Sequence, residues 1–316
     1  MIDVSFIIVN WNTKDLLLEC IESIRAARKN LNIEIIVVDN ASSDGSPEAV
    51  RNLSDHINII VNNNNIGFSK ANNIGMRRSH GRYMCVVNSD IKVLNYCIED
   101  AIGYMDNNHS IGVLGPQVLN RQMKIQYTCR EYPNLWSTFC QAFGFHRFFE
   151  KSKLFKDSFM TYFDHTSIRK VDVLSGCFLI VRKEAIQQVG FFDERFFIYG
   201  EDVDWCRRFN EAGWDVIFYP LSHVIHYGGT SSASAPARFN IEMLKAHFQY
   251  WEKWHGNPSN ALYIILRLFS VYFRVVILSC ILPFKHSMKR DLIGVIKKHA
   301  AMGKWILKNK VLCFCC

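Results

Sequence analysis

Short apolar runs alternate with segments of helical period along the first 120 residues of this chain. Residues 4–9 (VSFIIV) read as a buried strand, and Leu16, Leu17, Cys20, Ile21 and Ile24 recur at the spacing of one helix face. Residues 34–39 (EIIVVD), 57–61 (INIIV) and 82–88 (RYMCVVN) predict three more strands, with a helix over residues 69–79 between the last two. Ser42, Ser43 and Asp44 follow the second strand as helix-cap candidates. Strands apolar throughout and separated by helices predict an α/β domain with a mostly parallel, Rossmann-like sheet covered by helices on both faces. Such sheets bind ligands beyond the carboxyl ends of their strands. The polar residues ending the runs, Asn10, Asp39 and Asn88 with Asp90, are thus expected on one rim.

A second block begins near Val171. It predicts a strand over residues 173–181, a short helix, an acidic turn, an amphipathic helix over 202–211 and a strand over 216–219. Residues 121–169 are irregular, aromatic and basic, and read as an insert over the sheet edge. Residues 261–284 form an apolar segment long enough to span a bilayer, yet Arg267 and Arg274 interrupt it. Its longest charge-free stretch has ten residues, against about 20 for a spanning helix. An interfacial amphipathic helix therefore fits better than a spanning helix or a core helix. This places the domain boundary at 255, with a helical membrane-attachment tail over 256–316.

Charge sharpens that division. The net charge is +8, yet the segment from Gly256 onward holds ten Lys and Arg against one acid, Asp291, and so carries +9. The body is near neutral. Basic charge that follows an apolar helix points to an anionic membrane surface and not to nucleic acid. The opening MIDVSFIIVNWN has no basic flank and no cleavage site, so the N-terminus is expected to begin the fold itself. Eleven cysteines without a CxxC pair read as reduced thiols. Together these features predict a peripheral protein on the cytoplasmic face of the inner or plasma membrane. The terminal Cys313-Phe314-Cys315-Cys316 lacks the aliphatic third position of a prenylation signal and reads as a tail.

Several residues carry candidate chemistry. The turn after the first strand, Asn10-Trp11-Asn12-Thr13, has no glycine, which excludes a nicotinamide-dinucleotide site. Asp39 suits a hydrogen bond from a pyrimidine N–H or a ribose hydroxyl, and equally a helix cap. Gly67 permits close backbone approach and is equally an ordinary turn glycine. The asparagines at 62–65 read as turn chemistry. Glu201-Asp202-Val203-Asp204 places three acids at a helix start, where they complement the helix dipole or serve as acid–base groups.

Four segments in order resemble the inverting glycosyltransferases of family 2, which have the GT-A fold. They are VSFIIVNWNT (4–13), VVDNASSDGS (37–46), NNIGFSKANNIG (64–75) with VVNSD (86–90), and the stretch 174–208 with Pro220 and His226. The nearest likeness is to the rhamnosyltransferase-like branch, to which QYTCREYP (126–133) is also similar. The resemblance implies sugar transfer, L-rhamnose as the first candidate, from a dTDP- or UDP-sugar to a hydroxyl of a lipid-linked saccharide in polysaccharide synthesis. Another sugar donor, or a noncatalytic nucleotide-sugar-binding protein, is the alternative. Asn10, Asp39, Gly67 and Asn88 are implied to hold the nucleotide. Asn88-Ser89-Asp90 occupies the place of the metal motif, with Asn88 replacing its first acid, so that Asp90 and His226 are implied to bind Mg²⁺ or Mn²⁺. Asp202 is implied to be the general base, its pKa held up by neighbouring acids, with Glu201 and Asp204 in support. Asp193 and Glu194 are implied to shape the acceptor side or to cap locally. The stretch 227–230 reads as a flap over the donor.

Overall fold

The computed structural model describes residues 1–53, 57–94, 96–145, 154, 160–228, 236–284 and 289–311. Two compact units result: Met1–Tyr132 with Phe159–Pro236, and Pro133–Ser158 with Ala237–Cys316. The terminal cysteines, and Gly229 and Thr230 of the expected flap, lie outside the described residues.

The first unit opens with β1 (Val4–Asn10), α1 (Lys14–Ala27), β2 (Ile33–Asp39), α2 (Ser46–Arg51), β3 (Ile57–Val61), α3 (Phe68–Arg77) and β4 (Tyr83–Asn88). It continues through β5 (Ile91–Val93), α4 (Cys97–Asn107), β6 (Ile111–Leu119), β7 (Ile125–Gln126) and β8 (Cys129–Arg130). After the chain passes through the second unit come β9 (Arg169–Lys170), β10 (Val173–Leu174), β11 (Phe178–Arg182), α6 (Lys183–Val189), α7 (Glu201–Glu211) and β12 (Asp215–His226).

The main path of the sheet runs β3-β2-β1-β4-β11-β6-β12-β5. The four strands β3, β2, β1 and β4 are parallel, as is β6 with β12, while β11 and β5 pair antiparallel with their neighbours. Alternation of side chains divides the strands between two layers. Phe6, Ile8, Val37 and Val87 face α1 and α4 through Leu17, Ile21, Ile24, Ala101 and Ile102. Ile36 and Val38 face α3 through Ala71 and Ile74. The expected strand over 173–181 is instead two strands, because residues 175–177 bend to serve the site.

The N-cap position of α2 falls on Gly45, in a left-handed turn with φ 80°, which has no side chain to cap with. Asp44, one residue earlier, serves two helix starts. One carboxylate oxygen accepts from the amide of Ser46, the first residue of α2, at 3.0 Å, and the other accepts from the Lys14 amide at the start of α1 at 2.8 Å.

The second unit comprises α5 (Leu135–Phe143), α8 (Pro236–Trp254), α9 (Asn257–Ile281) and α10 (Lys289–Ile306). The aromatic stretch expected to be irregular thus contains a helix, closed by a capping box at Asn134 and Ser137. α9 and the short turn after it, Asn257–Phe284, are long and apolar enough to cross a membrane by length and composition, and 17% of the most apolar window is buried. That exposure is unlike a core helix. Arg267 and Arg274 do share a face, but it is the inner one. It carries Tyr263 and Ser270, both buried, and Arg274 donates to the Gln141 carbonyl of α5 at 2.7 Å. Leu262, Ile265, Phe269, Tyr272 and Val276 occupy the opposite, exposed face with no charge among them.

Candidate active site

Strand register assembles the rim. Asn10 lies opposite Asp39 across β1 and β2, and Val9 lies opposite Asn88 across β1 and β4. Three strand ends therefore meet at one edge, as the apolar runs foretold. Asn10 Nδ2 donates to Asp39 Oδ1 at 2.8 Å and to Ser42 Oγ at 3.1 Å. The second Asp39 oxygen accepts from the Ser42 amide at 2.8 Å. Thr13 Oγ1 donates to Asn10 Oδ1 at 2.7 Å and lies 2.7 Å from Ser89 Oγ, tying the first loop to the third. Asp39 and Asn10 are wholly buried. Their polar bonds fix the loop that follows β2, and each carboxylate oxygen keeps one lone pair.

Gly67 stands at φ +93°, and a Cβ there would lie 2.5 Å from the Phe197 carbonyl oxygen. The close approach that requires glycine is to Phe197, whose carbonyl also accepts the Phe68 amide at 2.6 Å. Among residues 62–65, Asn62 donates to Asn40 and Asn65 accepts the Gly67 amide, which is turn chemistry.

Asp90 and His226 meet although 136 positions separate them in sequence. Antiparallel pairing of β12 with β5 sets His226 opposite Ile91, the residue after Asp90. The imidazole Nε2 lies 3.3 Å from Asp90 Oδ1, and both side chains are largely buried. On its other side, Nδ1 lies 3.1 Å from Gln126 Oε1 of β7. With the Gln126 amide oxygen as its partner, Nδ1 is the donor there, and Nε2 is the ring nitrogen that faces Asp90. Asn88 Nδ2 stands 3.5 Å from Nε2, while Asn88 Oδ1 is buried with no hydrogen-bond partner among the described residues.

Does this set fit a cation? One carboxylate, one oriented imidazole and an orphaned amide oxygen suit Mg²⁺ or Mn²⁺, which draw further ligands from phosphate and water. No group of three or more His, Cys, Asp or Glu converges among the described residues. Tyr227, the first residue of the expected flap, is held by its amide on the Asp90 carbonyl at 3.0 Å and by its hydroxyl on Glu19 at 2.8 Å.

Asp202 sits in the first turn of α7 and is buried. Arg130 of β8 forms an ion pair with its Oδ2. The Gly176 amide donates to the same oxygen at 3.0 Å, and the Val203 amide to Oδ1 at 2.8 Å. In the bend at 175–177 the Cys177 carbonyl also accepts from the Asn88 amide at 3.0 Å. One bend thus joins the Asp202 pocket to the Asn88–Asp90 strand end. Burial, and then the negative charges of Asp90 and Asp202, push the Cys177 thiol up to about 12. Both carboxylates therefore lie within electrostatic reach of one thiol.

Glu201, beside Asp202 at the start of α7, is a raised acid. Burial first, and then the charge of Asp202, push its carboxyl up to about 8. Glu201 Oε2 has no hydrogen-bond partner among the described residues. Asp204 is wholly buried and accepts from Arg208 Nε at 2.9 Å, while Arg208 also donates to the carbonyls of Val189 and Phe191. Asp204 is a structural anchor. Glu194 binds Asn73 and Arg77, and Asp193 binds Arg195. Arg130, Gln126 and Cys177 were invisible as site residues. QYTCREYP was noticed as a segment, but no periodicity marks which of its residues turns inward.

Comparison with known proteins adds identity to this geometry. The model for glycosyl transferase family 2 matches residues 5–190, and that for glycosyl transferase family group 2 matches residues 118–302. Two solved structures share the fold. The mannosyltransferase PcManGT from Pyrobaculum calidifontis, in complex with GDP-Man and Mn²⁺, aligns with TM-score 0.55 at 15% identity over 95% of this chain and 73% of its own. GalNAc-T7 with UDP, GalNAc and Mn²⁺ aligns with TM-score 0.58 at 16% identity over 99% and 57%. The fold is that of a GT-A transferase.

The chain belongs to glycosyl transferase family 2 and is a transferase enzyme. Within the family it is rhamnosyltransferase-like. The N-acetylglucosaminyl-diphospho-decaprenol L-rhamnosyltransferase of Mycobacterium tuberculosis is 28% identical over 219 residues, covering 65% of this chain and 70% of the relative. Rhamnosyltransferase WbbL of Escherichia coli K12 is 27% identical over 257 residues, covering 78% and 92%.

Proposed function

We propose that this chain transfers L-rhamnose, with inversion, from a dTDP- or UDP-linked donor to a hydroxyl of a lipid-linked saccharide. The observation that carries the reading is the pairing of Asp90 with His226 on the same rim as Asn10 and Asp39, joined by one bend to Asp202. In this mechanism the acceptor oxygen attacks the anomeric carbon as the bond to the diphosphate oxygen breaks. Its proton passes to Asp202, and the nucleoside diphosphate leaves. Asp202 Oδ1 has a single amide donor and so keeps a lone pair for that proton. Arg130 and Gly176 hold the opposite oxygen and aim the group. Asp90 and His226 would hold Mg²⁺ or Mn²⁺, which when bound would supply positive charge against the departing diphosphate. Asn10, Asp39 and Asn88 line the nucleotide side, and Gly67 shapes the turn beside it.

The relatives' names support both the sugar and the lipid carrier. The exposed apolar face of α9 and the basic tail support peripheral attachment at the cytoplasmic face of an anionic membrane. The test is a donor screen that follows nucleoside diphosphate release with polyprenyl-diphosphate saccharides in vesicles. Release from dTDP-rhamnose that depends on the acceptor supports the proposal. Release from a different donor would reassign the sugar, and none from any donor would sink the reading.

A further inference from the structure

Glu19 of α1 touches both of the chain segments that present Asp90 and His226. Its Oε1 accepts from Lys92 Nζ at 2.8 Å and from the Tyr227 hydroxyl at 2.8 Å. Lys92 stands two residues after Asp90 on β5, and Tyr227 directly follows His226 at the end of β12. A carboxylate oxygen has lone pairs for both donors, so one atom bridges the two segments.

α1 is a firm mount for that oxygen. Leu17, Cys20, Ile21 and Ile24 bury the helix against the sheet. Ser23, one turn beyond Glu19 on the same face, accepts from the Val93 amide at 3.0 Å. Cys20 Sγ lies 3.7 Å from the Asn88 carbonyl oxygen. The helix therefore runs beside β5 and meets the strand end that holds Asn88.

The two segments part at this point. Pairing of β12 with β5 ends at His226 opposite Ile91, so Asp90 and Tyr227 lie beyond the last rung. There the Tyr227 amide donates to the Asp90 carbonyl at 3.0 Å. Tyr227 is thus bonded to the backbone of one ligand and is the chain neighbour of the other. The Arg121 guanidinium lies over its ring, 4.8 Å from the centroid. Arg121 belongs to the turn between β6 and β7, and β7 also supplies Gln126 to His226 Nδ1.

The Lys92 and Glu19 side chains are 42% and 37% exposed, and exposed ion pairs contribute little to folding. What the tie constrains is the placement of two ligands. Groups that orient metal ligands from behind are felt in metal affinity. We infer that Glu19 is a positioning residue for the metal pair, setting Asp90 and His226 through Lys92 and Tyr227 before a cation binds. The inference rests on the metal assignment in the proposed function, and it extends the site to a helix that carries none of the ligands.

The experiment follows binding of dTDP and of UDP to the full-length protein by calorimetry at increasing Mn²⁺, with melting temperature measured beside it. Glu19→Ala is expected to raise the Mn²⁺ needed for half-maximal nucleotide binding about tenfold, the lower end for losing a partner behind a metal ligand. Tyr227→Phe, which loses one hydrogen bond, should raise it about fivefold. Glu19→Gln keeps an acceptor oxygen for Tyr227 and should recover part of the loss. Melting temperatures should stay close to wild type. A metal-dependent wild type matched by both Glu19→Ala and Tyr227→Phe overturns the inference alone. Equal weakening with and without Mn²⁺ also overturns it, because Glu19 would then act on the nucleotide and not on the ion. A wild type that binds nucleotide identically with and without Mn²⁺ removes the metal assignment itself, and this inference with it. If Glu19→Ala does not fold, Tyr227→Phe, smaller by one oxygen, decides the same comparison.

Discussion

Arg130 and Asp202, 72 positions apart in sequence, form an ion pair with only 18% and 10% of their side chains exposed. The pair joins the short strand β8 to the first turn of α7 and fixes the carboxylate on which the proposed chemistry depends. Asp204, two residues on, makes a different pair with Arg208 and turns away into the core. Neighbouring acids thus serve separate ends, and substitution separates them. Asp202→Asn should slow turnover about 10²–10⁴-fold, the usual contribution of a positioned base, with donor affinity unchanged. Asp204→Asn should act on stability, because breaking a buried pair costs about 3–5 kcal/mol. Turnover, donor affinity and melting temperature for both variants distinguish them. An Asp202→Asn enzyme with more than about a tenth of normal turnover removes the base assignment.

Chelation addresses the Asp90–His226 pair. EDTA should abolish turnover, and Mn²⁺ or Mg²⁺ should restore it. Gln126 is the more telling position, since it touches the imidazole and not the ion. Gln126→Leu should weaken metal affinity about 10–100-fold, the usual effect of losing the partner that orients a histidine ligand. A metal titration of donor binding reads this directly. Full activity in chelator would mean that His226 and Asp90 hold one another and nothing else.

Glu201 gives stability a pH dependence of known sign. Its folded pKa, about 8, lies above the ordinary 4.5. Between those values the folded state holds a proton that the unfolded state has released, so this group makes the protein less stable as pH rises through that window. The slope is at most about 1.4 kcal/mol per pH unit. Glu201→Gln cannot ionise, so its melting temperature should fall less than that of wild type between pH 5 and 8. Parallel curves for the two proteins would show that the carboxyl is not raised.

Gly67→Ala tests the packing explanation for that glycine. The added Cβ meets the Phe197 carbonyl in a backbone conformation that side chains rarely adopt. A loss of about 1–3 kcal/mol is expected, visible as a lower denaturant midpoint. An alanine variant of normal stability would return Gly67 to a role in ligand approach.

Truncating the tail at 255 would strip α9 from Phe143 of α5, whose ring lies 5.7 Å from that of Phe269. Charged substitutions on the outer face are cleaner. Ile265→Glu with Val276→Glu should lower partition onto anionic vesicles by at least about tenfold while leaving the fold intact, because each puts a charge in place of an exposed apolar side chain that would enter the acyl boundary. Raising salt should weaken wild-type binding as well. Retention of the variant on vesicles would place the attachment elsewhere.

The sequence by itself determined what is local or periodic. Apolar runs such as residues 4–9 and 34–39 specify buried strands, and Leu17, Cys20, Ile21 and Ile24 specify the inward face of α1, because period and burial are written in consecutive residues. The rim of Asn10, Asp39 and Asn88 followed, since parallel strands of similar length end together. Tertiary structure alone decided the partners. Gln126 behind His226, Arg130 on Asp202 and Cys177 between two carboxylates each depend on strand pairing across many residues. No spacing encodes them, because pairing is chosen by the packing of the whole sheet. Arg267 and Arg274 show the same limit. Their seven-residue spacing fixed a shared face, but only the positions of α5 and α10 decided that this face turns inward and leaves the apolar side bare.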